Sequence, residues 1–284
     1  MLYVINFANG PFRKAQVLNT RTAYKYGADK VIEYSPNDID DEFKKENEKI
    51  FSCKRGCGLW LWKPYFINKA LSTVEYGDYV FYSDAGSYYV RDIYTMIKVM
   101  TDDIFVTDTC WLEKQFTKED VFQKLGCTDN WYRESNQIQG GFVCVKKTEK
   151  SVGFVKKWLD YCCDYNLISP SEGNDKFPNC KDFVSHREDQ SILSLLCKKE
   201  GIKTHLDPTQ WGIIYRYPPM LTDNKYIYKR ADHINEYPVC IALHRNDLSI
   251  KNRIKLFVNS YFPVWVSIML RRMTYLKLRL KGEL

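Results

Sequence analysis

Asp78-Tyr79-Val80-Phe81-Tyr82-Ser83-Asp84-Ala85-Gly86 decides the fold, because an apolar, aromatic-rich strand runs directly into one carboxylate followed by two very small residues. In open α/β sheets ligands bind beyond the carboxyl ends of the strands, so Asp84 lies where a phosphate or metal would be met, with Ala85 and Gly86 leaving room. The same residues also suit an ordinary strand-to-turn exit. Upstream, Leu2 to Phe7 reads as a buried strand. Phe12 to Tyr26 reads as a helix with Ala15, Leu18, Thr22 and Tyr26 on one side, closed by Gly27. Val31 to Tyr34 supplies a second strand and completes a β-α-β opening.

The 284 residues, 45% of them hydrophobic, suffice for a substantial core. The aromatic share of 15% suits clefts where ring faces meet sugars or bases. Residues 251–284 hold eight of the 42 Lys and Arg residues and one of the 35 acids, so 34 of each remain in residues 1–250. A neutral body with a basic tail argues against a nucleic-acid surface and for local attraction to an anionic partner. The first ten residues lack the basic region and long apolar stretch of a secretory signal, which implies a cytoplasmic protein whose ten cysteines are reduced thiols. Cys53 and Cys57 have the spacing of half a zinc site, but no second pair at finger spacing follows.

Further along, Arg55-Gly56-Cys57-Gly58-Leu59-Trp60-Leu61-Trp62-Lys63-Pro64 places glycines ahead of a helix that Pro64 helps start. Arg55, Lys63 and the helix amino terminus could receive phosphate oxygens; equally, the Trp pair could be core. Asp103 to Thr107 reads as a strand, followed by a polar region without clear periodicity that suits substrate-covering loops. Gln139-Gly140-Gly141 lead into the apolar strand Phe142 to Val145, where glycines permit close approach of a ligand or form a bulge. Lys150 to Tyr161 has helical patterning, and 170–178 is a loop by composition.

Ser185-His186-Arg187-Glu188 matches a capping box for a helix through Leu196. On that helix Asp189 shares a face with Ile192, Leu193 and Leu196, with His186 one turn earlier. A carboxylate on the core side costs several kcal/mol unless paired or used, so Asp189 belongs to a site or a salt bridge. His205 and His233 show no supporting pattern. Val239 to Leu243 delivers His244-Arg245-Asn246 at a strand tip, within the repertoire of metal or diphosphate contacts. Phe262, Val266, Met269, Met273, Leu276 and Leu280 line one helical face with basic residues around it. The interrupted apolar run before them spans about 15 residues where a crossing helix needs about 20, which points to an interfacial helix on an anionic bilayer or to packing on the body. Two units follow: a body over 1–250 and a basic amphipathic segment over 251–284.

In this order, Gly58-Leu59-Trp60-Leu61-Trp62-Lys63-Pro64, Tyr82-Ser83-Asp84-Ala85-Gly86, Gln139-Gly140-Gly141 and His186-Arg187-Glu188-Asp189-Gln190-Ser191 resemble bacterial and viral capsule or lipopolysaccharide glycosyltransferases. More distantly, residues 1–250 look like nucleotide-sugar transferases of the GT-A fold. The resemblance implies an α/β, Rossmann-like mixed sheet flanked by helices, with the basic tail appended. It implies a nucleotide-sugar donor, a glycan or lipid-linked glycan acceptor, no nucleic acid, and a place on the inner face of a membrane. Carried onto this chain, it makes Asp189 and Gln190 catalytic. It assigns Asp84, Lys63, Trp62, Gln139, Gly140, Gly141, His186 and Arg245 to donor or substrate, and Asp84 and His244 to a divalent metal, Mn²⁺ or Mg²⁺. Family members carry a second Asp where Gly86 stands here, so the metal is completed by other groups, His244 or Asp189, or dispensed with. A non-catalytic glycan- or nucleotide-binding protein of the same fold is the alternative that this departure keeps open.

Overall fold

Alternation along the strands builds two cores on one sheet. In β1 (Leu2–Phe7), Leu2 and Val4 face one side while Ile5 and Phe7 face the other; in β3 (Tyr79–Ser83), Phe81 and the pair Val80 and Tyr82 divide in the same way. The computed structural model describes residues 1–170, 176–212, 226–229, 236–262 and 264–280. His233, the terminal 281–284 and part of the 170–178 loop lie outside them. With β2 (Lys30–Tyr34), β5 (Ile104–Leu112), β6 (Asn136–Lys146) and β7 (Thr204–His205), the strands form a six-stranded mixed sheet in the order β2-β1-β3-β6-β5-β7. β1 pairs parallel with β2 and β3, β6 runs antiparallel to β3 and β5, and helices cover the sheet. This is the α/β mixed sheet expected from the sequence. β4 (Ser87–Tyr89) and β8 (Ile241–Leu243) form a separate antiparallel ribbon.

The order places β1 between β2 and β3, so consecutive connections leave it in opposite directions and open a crevice at the carboxyl ends of β1 and β3. The helices Trp62–Thr73, Glu149–Cys162 and Glu188–Lys199 pack together on the face carrying Ile5 and Tyr82. On the other face the first helix, Arg13–Lys25, follows a 3₁₀ turn at Gly10–Phe12 and buries Ala15, Gln16, Asn19 and Ala23, one step round from the expected side. Gln16 and Asn19 bond to Asn6, and Asn19 also bonds to Ser83 and Ser87, so polar residues occupy positions that an apolar pattern does not mark.

Two other expectations are corrected. The region after β5 is no set of loops: it forms the short helices Glu113–Phe116, Glu119–Leu125 and Asn130–Glu134. Glu113 is fully buried there and pairs with Lys198, and it accepts from Ser194 and Gln137. Ser185 caps nothing; the helix starts at Glu188 with Arg187 at its N-cap and no side-chain cap. The segment beyond 250 is two helices. Ile250–Tyr261 buries Leu256 with Val90 and Ala242, and Tyr261 donates to the Val90 carbonyl. Val264–Leu280 leaves Trp265, Met269, Met273, Leu276 and Leu280 exposed. Among the described residues no helix is long and apolar enough to cross a membrane.

Candidate functional site

A cavity of about 760 Å³ opens at the crevice, within the range of small-molecule sites. Phe7, Ala8 and Asn9 from the end of β1 line it, as do Asp84, Ala85 and Gly86 from the end of β3. Trp60 and Trp62 form a third wall; the Trp62 ring stacks on Phe7 at 3.8 Å. Gln139, Gly141, Arg187, Gln190, Asp207 and Arg245 add to the polar lining, as do Lys54 and Thr109.

Asp84 is held by the pairing of β3 with β6: its N–H donates to the Gly141 carbonyl at 3.0 Å. Its Oδ1 accepts from the Tyr82 hydroxyl at 2.5 Å. Burial, then the Asp84 charge, pushes the Tyr82 phenol well above its ordinary value, so it stays a donor. A Cβ on Gly141 would lie 3.2 Å from Asp84 Oδ2, and one on Gly140 would lie 3.2 Å from Lys63 Nζ and 3.3 Å from Asp189 Oδ2. The two glycines therefore let charged groups rest against the β6 backbone, which is the close approach that the glycine pair permits.

Lys63 and Asp189 form a buried ion pair at 2.9 Å. Burial pushes Asp189 up to about 6 against the pull of Lys63. Burial opposes the Lys63 charge, but Asp189 and Asp84 outweigh it and hold the ammonium protonated. The pair lies behind Gly140, beside the cavity and not on its lining. Gln190 is the member of this motif that faces in. Its Oε1 accepts from Gly140 N at 3.0 Å and its Nε2 donates to Gln137 at 2.8 Å, which leaves one amide N–H. Gln139 spends both donors, on Thr107 and Asp207, and keeps an acceptor oxygen.

Strain concentrates here. Gly56, Cys57, Gly58, Leu59 and Trp60 all have positive φ, between 52° and 92°, and make one left-handed turn closed by Leu59 N–H to Arg55 O at 2.9 Å. At about 1–2 kcal/mol for each non-glycine residue, Cys57, Leu59 and Trp60 together cost about 3–6 kcal/mol. The remaining non-glycine residues of positive φ among those described, Glu188, Arg245 and Asn246, also belong to segments bordering the cavity. Backbone held in costly conformations around one cavity is characteristic of a functional site.

No protein-family model matches the chain, and no curated protein matches it. Among solved structures it is similar to mouse xyloside xylosyltransferase 1 in its apo form, with 9% identity and a TM-score of 0.42 over 85% of this chain and 96% of that one. It is also similar to the apo-form glycosyltransferase GlyE of Streptococcus pneumoniae TIGR4, with 12% identity and a TM-score of 0.46 over 97% of this chain and 63% of that one. A third likeness, to the apo bifunctional glycosyltransferase WbbM, has 9% identity and a TM-score of 0.40 over 69% of this chain and 37% of that one.

Of the residues singled out in the sequence, Asp84, Trp62, Gln139, Gly141, Gln190 and Arg245 meet at the cavity, with Lys63, Gly140 and Asp189 directly behind them. The two histidines do not join them. His186 is buried against Lys118, and burial, with the Lys118 charge, lowers it to about 3. His244 is buried beside the Tyr88 ring and is not part of the cavity lining; its Nδ1 accepts from Asn246 N at 3.1 Å. At the helix start at Trp62 the N–H groups of Leu61 and Lys63 bond to Gly58 and Trp60, and Pro64 has none. Arg55 is engaged by Glu188 at 2.5 Å.

Asp207 and the free guanidinium of Arg187 were not legible as cavity residues. Asp207 sits in no motif, and Arg187 is indistinguishable in sequence from a partner for Asp189. The Asp207 oxygens are filled by Thr209 and Gln139. Among the described residues no group of three His, Cys, Asp or Glu side chains is placed to hold a metal ion. The Mn²⁺ or Mg²⁺ implied by the sequence resemblance would find, among the described carboxylates that line the cavity, only the Oδ2 of Asp84 without a hydrogen-bond donor, and the donor set does not fit it.

Proposed function

We propose that this protein is a glycosyltransferase that moves a monosaccharide from a nucleoside-diphosphate sugar to a growing surface glycan. The observation that carries the reading is the polarity of the cavity. Aromatic faces of Phe7, Phe12, Trp60 and Trp62 line it together with a carboxylate, Asp84, and the cation Arg245. A nucleotide sugar has the matching parts: a flat base, an anionic diphosphate and a hydroxyl-rich ring. The transfer breaks the bond from the anomeric carbon to phosphate oxygen, whose electron pair leaves with the nucleoside diphosphate, and forms a bond to the acceptor oxygen, whose hydroxyl proton passes to the departing diphosphate. Asp84 Oδ2 faces the positive charge that develops at the anomeric carbon and accepts a sugar hydroxyl, while the spare Gln190 donor and Gln139 acceptor orient the ring. Asp189, sealed in its pair with Lys63, acts as a positioning residue.

The capsule or lipopolysaccharide character of the acceptor is supported by the four motifs in their order. The exposed apolar side chains of Val264–Leu280, among the basic residues of 251–284, support attachment to an anionic bilayer. The full chain should co-sediment with vesicles containing phosphatidylserine and be released by salt; equal binding to neutral vesicles would count against an electrostatic anchor. For the activity, a thermal-shift panel of nucleotide sugars should show one donor that raises the midpoint and is then consumed in the presence of acceptor glycan. Stabilisation without any turnover, hydrolytic or transfer, across acceptors would favour the binding protein instead.

A further inference from the structure

We propose that the donor diphosphate is held by two protein cations, Arg245 and Arg187, and not by a carboxylate-bound divalent metal. The inference rests on the nucleotide-sugar reading of the same cavity.

The sequence resemblance places a second carboxylate at position 86, where this chain has glycine and the space is tight. The Gly86 carbonyl accepts the N–H groups of both His244 and Arg245 at 2.9 Å, clamping the turn after β8 against it. A Cβ on Gly86 would lie 3.3 Å from Arg245 Cα, closer than ordinary contact, so a longer side chain would push that turn away. The residue brought to this spot is a cation: Arg245 lines the cavity beside Trp211, its guanidinium 5.4 Å from the ring centroid. Across the cavity Arg187 lies over Phe116 at 4.9 Å, with its Nε buried and unpartnered.

Neither guanidinium has an ion-pair partner among the described residues, whereas Arg55 is taken by Glu188. Burial lowers the proton affinity of Arg187; the Glu188 charge and Tyr226 oppose this, and the smaller effects of Arg55 and Arg245 add to it. Two guanidinium groups on one cavity, without an ion-pair partner among the described residues, suit an anion between them. Their planar forks match the paired oxygens of a diphosphate. They would neutralise the leaving group as its charge grows.

The test titrates the full chain with inorganic pyrophosphate, nucleoside diphosphates and the parent nucleosides, in EDTA and then in Mn²⁺, by calorimetry. The expected result is diphosphate binding in EDTA within about twofold of that in Mn²⁺. It should weaken by about 10- to 100-fold in Arg245→Met and Arg187→Met, the scale of a hydrogen bond to a charged group, with nucleoside binding unchanged. Arg245→Lys should fall between, having the charge without the fork. Arg245 is exposed, so its variants report even if Arg187→Met proves unstable. Diphosphate affinity that appears only with Mn²⁺, or that survives in Arg245→Met, overturns the proposal while the transferase reading stands. Pyrophosphate binding in EDTA that depends on the arginines, without binding of any nucleotide, upholds the arginine site and overturns the donor assignment. No binding of either kind overturns both.

Discussion

Asp84→Asn should lower sugar transfer by about 10²–10⁴-fold and leave the fold intact. The substitution keeps the shape, and the Asn oxygen still accepts from Tyr82, the side-chain donor that Asp84 has among the described residues. The 3.0 Å backbone bond to Gly141 is unaffected. What disappears is the negative charge facing the anomeric carbon, and positioned carboxylates contribute on this scale, about 3–5 kcal/mol of barrier. The nucleoside end of the donor meets aromatic rings, so its binding should be preserved and the loss should fall on kcat. Steady-state kinetics with a melting curve would check this, and near-normal transfer by a folded Asp84→Asn protein would sink the assignment.

Lys63→Met should destabilise the protein by about 3–5 kcal/mol, a large share of the roughly 5–15 kcal/mol that holds a domain together. Both partners of the pair are buried, so solvent does not screen the loss. Removing the ammonium leaves the Asp189 carboxylate in the interior. The reverse change, Asp189→Asn, should cost less, because Asp84 still supports the Lys63 charge. The effect depends on pH. Asp189 binds its proton more tightly folded, at about 6, than at its ordinary 3.8. Its contribution to stability is therefore fully present below about 4 and lost as pH rises through about 6. Without Lys63 the folded value moves further up and the loss deepens, so the variant's deficit in urea unfolding should be larger at pH 8 than at pH 5. An equal deficit at both would show that Lys63 contributes packing and not charge.

Local pattern carried much of the architecture. The strand 2–7 is observed at Leu2–Phe7, the strand before Asp84 at Tyr79–Ser83, and the helices near 62 and 150 at Trp62–Thr73 and Glu149–Cys162. Each is an apolar run or period bounded by a turn residue, and such signals survive tertiary packing. The misses share a cause. Gln16, Asn19, Glu113 and Lys198 are polar yet buried because partners distant in sequence satisfy them, and no window along the chain contains those partners.

The sequence by itself determined that Asp84 ends a strand, that Gly140 and Gly141 permit close approach, and that a carboxylate at 189 rides on the core side of its helix. Periodicity and side-chain size settle such matters. The folded arrangement alone set Asp189 against Lys63, left His186 and His244 off the cavity lining, and brought the turn bearing Arg245 next to Gly86. The Lys63–Asp189 pair and the approach of Arg245 to Gly86 join segments more than 100 residues apart, where the cost of burying a charge is balanced only by whatever the fold brings next to it.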